Sequence, residues 1–326
     1  MPAFLLMGMD IPVTVSKLAQ AVLDAGGRAL LVGGCVRDEL MGQQPKDWDV
    51  EVYRIEPLRM RELLDQFGPV NVVGEAFTVY KIGAHLDVSL PRRERKTGRG
   101  HRAFFIEGDP EMTFSEAAAR RDFTINAILQ DPLTGEIIDP FHGQADIKRG
   151  ILRTVSADTF GEDSLRVLRA AQFAARFEFR VEPETAALCK TIDLSDLPAE
   201  RIWNEIAKLL LRSRRPSVGL GWLHALGALD QLFPEIKTLI DVPQDPEWHP
   251  EGDVFVHTRL VVDRARELIE DLPYPKQVTV MLAAARYSWV VVCAMNSWVS
   301  SRRIGTSKSI ESSHCDCGNC SMSSVR

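Results

Sequence analysis

The sequence lacks the excess of positive charge that marks many nucleic-acid-binding proteins. Its 39 lysines and arginines are outnumbered by 45 aspartates and glutamates, which gives a formal net charge of −6. A polyanion could therefore be bound only by a local basic patch and not by the surface as a whole. The chain has 326 residues of ordinary globular composition, enough for two or three domains.

The sequence also lacks a secretion signal and a clean membrane span. The apolar start, Met1–Pro12, is short and has neither a basic beginning nor a small-residue cleavage site. The later apolar stretch Gln277–Ser300 is interrupted by Arg286 and Asn296. We therefore predict a soluble cytoplasmic protein that does not associate with membranes.

Cysteine is scarce. Three of the six residues, Cys35, Cys189 and Cys293, are isolated, which is typical of buried thiols in a reducing compartment. The others crowd into His314–Cys320, where four soft ligands in seven residues could bind Zn²⁺. The short spacing disfavours such a site. The serine-rich composition of residues 288–326 indicates instead a replaced or out-of-frame tail with little fixed structure.

Two closely spaced aspartates are present in the first part of the chain. A predicted strand begins at Lys46 and carries Asp47 and Asp49, with the intervening apolar side chains pointing into the core. Side chains two positions apart in a strand share a face, so both carboxylates point the same way. Such a pair suits a hard divalent cation such as Mg²⁺, shared with substrate phosphate, although a solvated strand face is the alternative.

A glycine pair precedes these aspartates. The predicted strand Ala29–Val32 runs into Gly33 and Gly34, and a short helix follows. Backbone N–H groups at a helix start suit a phosphate, because they lie at the positive end of the helix dipole. The spacing of the glycines and aspartates therefore favours a combined phosphate and metal site.

A third carboxylate follows on a predicted hairpin. Two β-rich runs, Phe77–Ile82 and His85–Leu90, are joined by a glycine turn, and Asp87 lies in the second run. It would stand beside Asp47 and Asp49 if its strand neighbours theirs.

Residues 91–102 form a predicted basic loop. The loop holds six lysines or arginines against one acid. It is either a solvated mobile loop or a flap that contacts triphosphate or a nucleic-acid backbone; the charge contrast with the acidic chain favours the flap.

A helix is predicted over Phe114–Leu129. Within it, Arg121 could meet phosphate and Asp122 could orient that arginine. The alternative is an ordinary ion pair on a helix surface, which contributes little to stability.

From Thr159 onward the hydrophobic period is helical, so a domain boundary is predicted near residues 140–155. In the predicted helix Glu162–Phe177, the residues Asp163 and Arg166 share the polar face. An Asp and an Arg one turn apart could fix each other and offer hydrogen-bonding edges to a nucleobase. From spacing alone, a solvated ion pair is the favoured interpretation.

Four stretches together resemble bacterial class II CCA-adding enzymes (tRNA nucleotidyltransferases) and their bacterial poly(A) polymerase relatives. They are Leu31-Val32-Gly33-Gly34-x-Val36-Arg37-Asp38, Asp47-Trp48-Asp49, Arg120-Arg121-Asp122-Phe123-Thr124-x-Asn126-Ala127 and Glu162-Asp163-x-x-Arg166-x-x-Arg169. Each motif alone is weak, but the ordered set is specific, and the resemblance covers about residues 28–240.

The resemblance implies an α+β fold. A nucleotidyltransferase head of the polymerase-β type, a mixed sheet with flanking helices, would occupy residues 1–140. An all-α neck and body that bind RNA and nucleobase would follow at residues 141–245. Residues 246–326 would hold an incomplete HD-like segment and the serine- and cysteine-rich tail.

The resemblance also assigns roles to residues of this chain. The catalytic set would be Asp47, Asp49 and Asp87, of which Asp47 and Asp49 would hold two Mg²⁺ ions. The nucleotide-binding set would be Gly34, Arg37, Arg121, Asp122, Asn126, Asp163, Arg166 and Arg169. In this set Asp163 and Arg166 would select CTP and then ATP. No His or Cys nucleophile is needed, because nucleotidyl transfer depends mainly on in-line positioning and charge neutralisation.

The function implied is template-independent addition or repair of the 3′-terminal CCA of tRNA from CTP and ATP. Addition of A alone, addition of CC alone, and poly(A) synthesis are alternatives on the same fold. A non-catalytic RNA-binding relative is disfavoured, since a binding module has no need of paired metal carboxylates.

Two departures from the family pattern stand in the sequence. Gln172 occupies a position where relatives often have another arginine. The stretch Glu247–Thr258 resembles the opening of an HD phosphohydrolase-like domain, but no His-Asp pair follows residue 257. We therefore predict that the chain has no phosphohydrolase activity.

Overall fold

The computed structural model describes residues 11–73, 79–96 and 104–285. These residues form a mixed sheet flanked by helices, followed by a part built almost entirely of helices. The predicted α+β fold is therefore confirmed. The predictions for the cysteine-rich stretch 314–320 and the tail from residue 288 lie outside the described residues.

The secondary structure follows the chain in this order. The strands are β1 (Arg28–Val32), β2 (Trp48–Tyr53), β3 (Val70–Val73), β4 (Val79–Ile82), β5 (Leu86–Ser89), β6 (Arg92–Lys96), β7 (Phe104–Gly108), β8 (Leu129–Gln130), β9 (Ile137–Ile138), β10 (Ile151–Leu152) and β11 (Arg180–Val181). The helices are α1 (Val13–Asp24), α2 (Gly34–Leu40), α3 (Pro57–Leu64), α4 (Phe114–Ala119), α5 (Gly143–Arg149), α6 (Ala157–Phe160), α7 (Leu165–Phe177), α8 (Pro183–Lys190), α9 (Ala199–Arg212), α10 (Pro216–Ala225), α11 (Ala228–Leu232), α12 (Pro234–Lys237) and α13 (Val254–Leu268). Short 3₁₀ turns lie at Asp65–Phe67 and Thr124–Asn126, and residues 274–285 are helical.

The main sheet has seven strands in the order β3-β4-β5-β2-β1-β8-β9. Its pairs are antiparallel except β2 and β5, which run parallel. A parallel pair requires the chain to cross over between its strands, and here the crossover contains α3, β3 and β4. This connection places the strand of Asp87 beside the strand of Asp49.

The two central strands are buried because both faces of the sheet are covered. On β1, Leu31 packs into the cluster under α1 and α3, whereas Leu30 packs with Tyr53 on the opposite face. On β2, Trp48 and Val50 enter the first cluster, as the alternation predicted. Burial on both faces explains why β1 is a nearly continuous apolar run. Strand β2 instead alternates apolar residues with the acids Asp49 and Glu51.

The helical part is organised around α7. Its apolar face, which includes Leu168, Ala171 and Ala175, is fully buried and packs against α9 and α10. Arg166 and Arg169 lie on its other face, turned toward the sheet domain, so the predicted amphipathic pattern is confirmed. The helix itself begins at Leu165, and Asp163 lies in the turn before it, with its carboxylate accepting a hydrogen bond from the Leu165 amide.

The predicted helix Phe114–Leu129 is wrong beyond its first turns. Helix α4 ends at Ala119, and a 3₁₀ turn follows at Thr124–Asn126. The backbone between them bonds to a neighbouring segment: Phe123 forms a β-bridge with Thr154. Tertiary contacts therefore satisfy the amides that a longer helix would have satisfied within itself.

Two other boundaries differ from prediction. Strand β2 begins at Trp48, so Asp47 lies just before it and not within it. The basic stretch predicted as a loop starts as strand β6, which pairs with β7; its residues 97–102 lie outside the described ranges. Within those ranges, no helix is long and apolar enough to cross a membrane.

Candidate active site

Asp49 and Asp87 form the centre of the site. They occupy directly opposite positions on the parallel strands β2 and β5. Both line a cleft of about 430 Å³ that we call the catalytic cleft. Its other walls include Glu51, Arg92, Arg120, Arg121, Asp163 and Arg166. The strand of Asp87 therefore does neighbour that of Asp49, which is the condition under which Asp87 was expected to join the other carboxylates. The cleft also brings the head carboxylates to the residues before and on α7.

The electrostatics at Asp49 favour a cation. Its side chain opens to the cleft, but the surrounding protein partly removes water from the carboxylate, and this burial raises the pKa of Asp49. Arg121 acts in the opposite direction. The negative charges of Asp87 and Asp47 raise this pKa further. A divalent cation between these oxygen ligands would relieve the repulsion, so the donor set fits a hard metal ion.

The other two predicted carboxylates have partners of their own. Asp87 accepts from the Lys81 ammonium at 2.6 Å. Asp47 is 75% exposed and lies 2.9 Å from Nδ1 of His85. Asp47 is not among the residues that line the catalytic cleft. The structure thus places Asp49 and Asp87 together at the centre, with Asp47 close enough to act on Asp49 through its charge.

A second cleft, of about 290 Å³, adjoins the first and shares Asp49 and Arg121 with it. We call it the glycine-side cleft. Its remaining lining residues are Gly33, Gly34, Arg37, Asp122, Asn126, Arg169, Gln172, Phe173, Arg176, Lys208 and Arg212. Residues from the head and from α7 and α9 therefore meet around a strongly basic space.

The glycine pair is shaped by a close approach. Gly33 has φ +74°, and a Cβ placed there would lie 2.9 Å from Nη1 of Arg121. Gly34 begins α2, and a Cβ there would meet only Nη2 of Arg37 at an ordinary 3.5 Å. The positive φ therefore favours glycine at position 33, and a side chain there would also have to move the Arg121 guanidinium. Gly34 leaves backbone open at the wall of the cleft.

Arg37 is held firmly by the protein. Its side chain is buried, with Nη1 donating to Asn126 at 2.6 Å and Nε donating to Asp38 at 2.8 Å. The guanidinium also lies 4.7 Å from the ring centroid of Phe177, a cation–π distance. Much of its donor capacity is used within the fold.

Asp122 holds Arg169 and does not orient Arg121 as the sequence suggested. Its buried carboxylate accepts from Nε of Arg169 at 2.7 Å and from Nδ2 of Asn126 at 2.9 Å. Burial alone would raise the pKa of Asp122, but the charge of Arg169 and these hydrogen bonds outweigh it and hold the pKa below its usual range. This contact ties the head to α7.

Asp163 and Arg166 are fixed by other elements and not by each other. Among the described contacts, Asp163 accepts from Nη2 of Arg201 on α9 at 3.0 Å. Arg166 donates to the carbonyl oxygens of Arg120 at 2.7 Å and Thr159 at 3.0 Å. The predicted ion pair between them is therefore wrong, but both side chains line the catalytic cleft.

Glu51 is a site residue that the sequence reasoning missed. It is fully buried on β2, where it accepts from the Tyr53 hydroxyl at 2.8 Å and from Arg120, and lies 3.9 Å from Arg121. Burial would raise its pKa, but the charges of Arg121 and Arg120 hold the pKa of Glu51 below the usual range. An acid inside a buried strand was the signal that could have identified it.

Two stretches of the chain match known protein families. Residues 29–153 match the family described as "Poly A polymerase head domain", and residues 178–240 match "Probable RNA and SrmB- binding site of polymerase A". The Multifunctional CCA protein of Xanthomonas campestris pv. campestris (strain B100) is 42% identical over 245 residues, 73% of this chain and 58% of the relative. That of Methylobacillus flagellatus is 44% identical over 252 residues, 76% and 59% of the two chains.

The chain belongs to the family of CCA-adding enzymes and poly(A) polymerases. A CCA-adding enzyme solved in complex with CTP is similar in structure, with a TM-score of 0.59 at 24% sequence identity. The match covers 79% of the present chain and 57% of the CCA-adding enzyme. The Thermotoga maritima CCA-adding enzyme complexed with tRNA has a TM-score of 0.57 at 23% identity, and the match covers 88% of the present chain and 72% of the Thermotoga enzyme. These likenesses establish the polymerase-β-type head and helical body as the fold. This member spans about 58% of the length of the curated relatives it matches.

Proposed function

We propose that this family member adds or repairs the 3′-terminal CCA of tRNA, using CTP and ATP. One observation carries the proposal: the Asp49–Asp87 pair and the residues Asp163 and Arg166 line the same cleft. A carboxylate pair suits phosphoryl chemistry, and an Asp and an Arg suit the polar edge of a base. Their shared position would let one substrate nucleotide meet both.

The carboxylates of Asp47, Asp49 and Asp87 would hold Mg²⁺. When bound, the metal would lower the pKa of the attacking 3′-hydroxyl and offset charge on the departing pyrophosphate. Arg121 would bind the triphosphate, since it lies between the two clefts and beside Gly33. The protein would contribute chiefly position and charge neutralisation, because no side chain needs to become covalently attached to the nucleotide.

Base selection would depend on Asp163 and Arg166. Two donors of the Arg166 guanidinium are used on backbone carbonyls, which leaves others of its five N–H groups for a base. Asp163 is held in place by Arg201 from the side of α9. Side chains fixed before binding lose little entropy on contact with the nucleotide, so they would act as a rigid template.

The basic walls of the glycine-side cleft would receive the tRNA end. Arg176, Lys208 and Arg212 lie there on α7 and α9, although the chain as a whole is acidic. Such a local patch is what phosphate binding requires in a protein of net negative charge. Since tRNA maturation takes place in the cytoplasm, we propose that location for this protein.

The test is a set of incorporation assays. The full chain is incubated with tRNA ending at the discriminator base, at CC or at CCA, with labelled CTP or ATP and Mg²⁺. Growth to CCA from both incomplete ends supports the proposal, whereas no incorporation on any substrate would refute it. Replacing Mg²⁺ by Ca²⁺ or by EDTA should stop the reaction.

Other outcomes would identify the alternatives. Growth only from the CC end would indicate an A-adding enzyme, growth that stops at CC would indicate a CC-adding enzyme, and long A tails would indicate a poly(A) polymerase. Binding of tRNA without any incorporation would indicate a non-catalytic relative. The fully formed carboxylate pair at Asp49 and Asp87 argues against that last outcome.

A further inference from the structure

Three side chains of types that can ligate a metal converge outside both clefts, in the loop between α12 and α13 and at the start of α13. They are His249 and Glu251 in the loop before α13 and His257 in the first turn of that helix. One carboxylate oxygen, Oε1 of Glu251, lies 3.1 Å from Nδ1 of His249 and 2.6 Å from Nδ1 of His257. The two imidazole rings meet edge to face, with centroids 4.7 Å apart.

We propose that His249, Glu251 and His257 form a site for one divalent transition-metal ion, with Zn²⁺ as the best match. The three ligand atoms all lie within 4.8 Å of one another. Ligands of a tetrahedral zinc at its usual bond lengths are about 3.3 Å apart. Only small movements would therefore bring these three atoms around an ion.

The donor types select the class of metal. Two imidazoles and one carboxylate suit Zn²⁺ and similar ions, whereas Mg²⁺ and Ca²⁺ prefer a set made only of oxygens. This separates the site chemically from the carboxylates of the catalytic cleft. The three side chains are 22–35% exposed, so solvent can reach a fourth position on the ion.

The backbone holds the ligands in place before any ion binds. The His249 amide donates to the Asp245 carbonyl at 2.8 Å. Asp253 caps α13 by accepting from the Val256 amide at 2.7 Å, which fixes the turn that carries His257. The ion would therefore join a loop and a helix start that are already formed. Its binding would cost little conformational entropy of the backbone.

The ligand set does not depend on the residues that the HD-like pattern lacks. All three ligands come from the stretch 249–257, so a metal can bind here although no His-Asp pair follows. We infer a structural clamp between the loop and α13. Its expected effect is a metal-dependent rise in thermal stability and not a hydrolytic activity.

The test uses zinc titration of the full chain after removal of metal with EDTA. Every protein carries Cys315→Ser, Cys317→Ser and Cys320→Ser, so that the C-terminal thiols cannot compete. An excess of Mg²⁺ saturates the carboxylates of the catalytic cleft. Isothermal titration then counts the zinc bound, and thermal unfolding with and without zinc reports the clamp.

The matched variants are Glu251→Gln and Glu247→Gln. Glu247 is an exposed acid of the same loop and is not part of the cluster. We expect the parent and Glu247→Gln to bind one zinc and to unfold at a higher temperature with it. Glu251→Gln should bind zinc at least about tenfold more weakly and lose the thermal shift.

A spectroscopic arm tests ligation directly and does not depend on stability. With Co²⁺ in place of Zn²⁺, the parent should give the visible bands of a tetrahedral site. His257→Cys should keep the metal and add a thiolate charge-transfer band, while His257→Gln should lose both. Equal zinc binding by Glu251→Gln and Glu247→Gln, or no new band in His257→Cys, would mean a hydrogen-bonded cluster only and would overturn the proposal.

Discussion

Asp49 on β2 and Asp87 on β5 lie directly opposite each other in the one parallel pair of the main sheet. The repulsion between them contributes to the raised pKa of Asp49, after the effect of burial. The relationship exists only because the chain crosses over through α3, β3 and β4 before it reaches Asp87. Lys81 and Arg121 offset part of this repulsion, and a divalent cation between the two acids would offset more of it. The first prediction follows from this arrangement.

Asp49→Asn should lower nucleotide incorporation by at least about 10³-fold, because the amide cannot replace a charged ligand of the metal. Binding of tRNA should remain measurable in a filter or gel-shift assay. The control is Asp24→Asn, which changes an exposed acid at the end of α1. Incorporation by Asp49→Asn at the parent rate would contradict the assignment of the metal site.

Glu51→Ala should lower the free energy of unfolding by about 3–5 kcal/mol, because it removes a buried carboxylate that accepts from both Arg120 and the Tyr53 hydroxyl. Glu62→Ala removes an exposed acid that pairs with Arg59. It should cost less than about 1 kcal/mol. Urea unfolding measures the loss of stability in both variants. Equally small losses would mean that the buried contacts of Glu51 do not stabilise the fold around the site.

Asp122→Asn should weaken the junction between the head and α7 in a pH-dependent way. Because the pKa of Asp122 is lowered in the folded state, its stabilisation is fully present above the unfolded value of about 4. This stabilisation is lost as the pH falls through the lower pKa that Asp122 has in the folded protein. At pH 7 the variant should be about 3 kcal/mol less stable than the parent.

The difference in free energy of unfolding between the parent and Asp122→Asn should narrow as the pH is lowered below about 4. The Asp122 carboxylate of the parent is then protonated, so it loses the charge that the asparagine also lacks. Urea unfolding at pH 7 and across the acid range measures this gap. Asp24→Asn again serves as the control and should show little difference from the parent at any pH. A gap that stays constant down to the acid limit would contradict the assignment of the Arg169 contact as ionic.

Gly33→Ala and Gly34→Ala should show which glycine is needed for stability and which for binding of the nucleotide phosphates. At φ +74° an alanine at position 33 is strained by about 1–3 kcal/mol and must displace Arg121. It should therefore lower both stability and activity. At position 34 the methyl has room, so stability should be kept while the KM for nucleotide rises. An unchanged KM in Gly34→Ala would mean that no phosphate approaches this backbone.

Arg166→Ala should blur the choice between CTP and ATP more than it weakens triphosphate binding. The side chain faces the catalytic cleft and is anchored on two backbone carbonyls. Lost base contacts of this kind are worth about 1–3 kcal/mol of discrimination. Arg180→Ala, an exposed arginine on β11, is the control. Ratios of kcat/KM for the two nucleotides measure the effect, and an unchanged ratio would rule out Arg166 as a base-selecting residue.

Several features could be predicted from local sequence because they depend on neighbours along the chain. The glycine turn after β1, the alternation of β2 and the apolar face of α7 follow from backbone geometry and from periods of 2 and 3.6 residues. The order of the motifs was sufficient to suggest the family. The strand of Asp87 was predicted, but its position beside Asp49 could be stated only as a condition.

The errors have a common cause. A single helix was predicted over Phe114–Leu129, but Phe123 forms a β-bridge with Thr154, in which the Thr124 amide donates to the carbonyl of Arg153. Asp163 and Arg166 have the spacing of an ion pair, yet Arg201 on α9 holds the aspartate instead. A partner distant in sequence leaves no periodic signal, so propensity and spacing could not reveal these contacts.

The sequence by itself determined the chemical components: the carboxylates, the glycine pair, the arginine-rich face of α7 and the family they indicate. Tertiary structure decided which of them meet. It paired Asp49 with Asp87, assigned Asp122 to Arg169, buried Glu51 beside Arg120, and gathered His249, Glu251 and His257. The physical reason is that charge interactions depend on distance and burial, and both are set by chain crossovers and helix packing and not by position in the sequence.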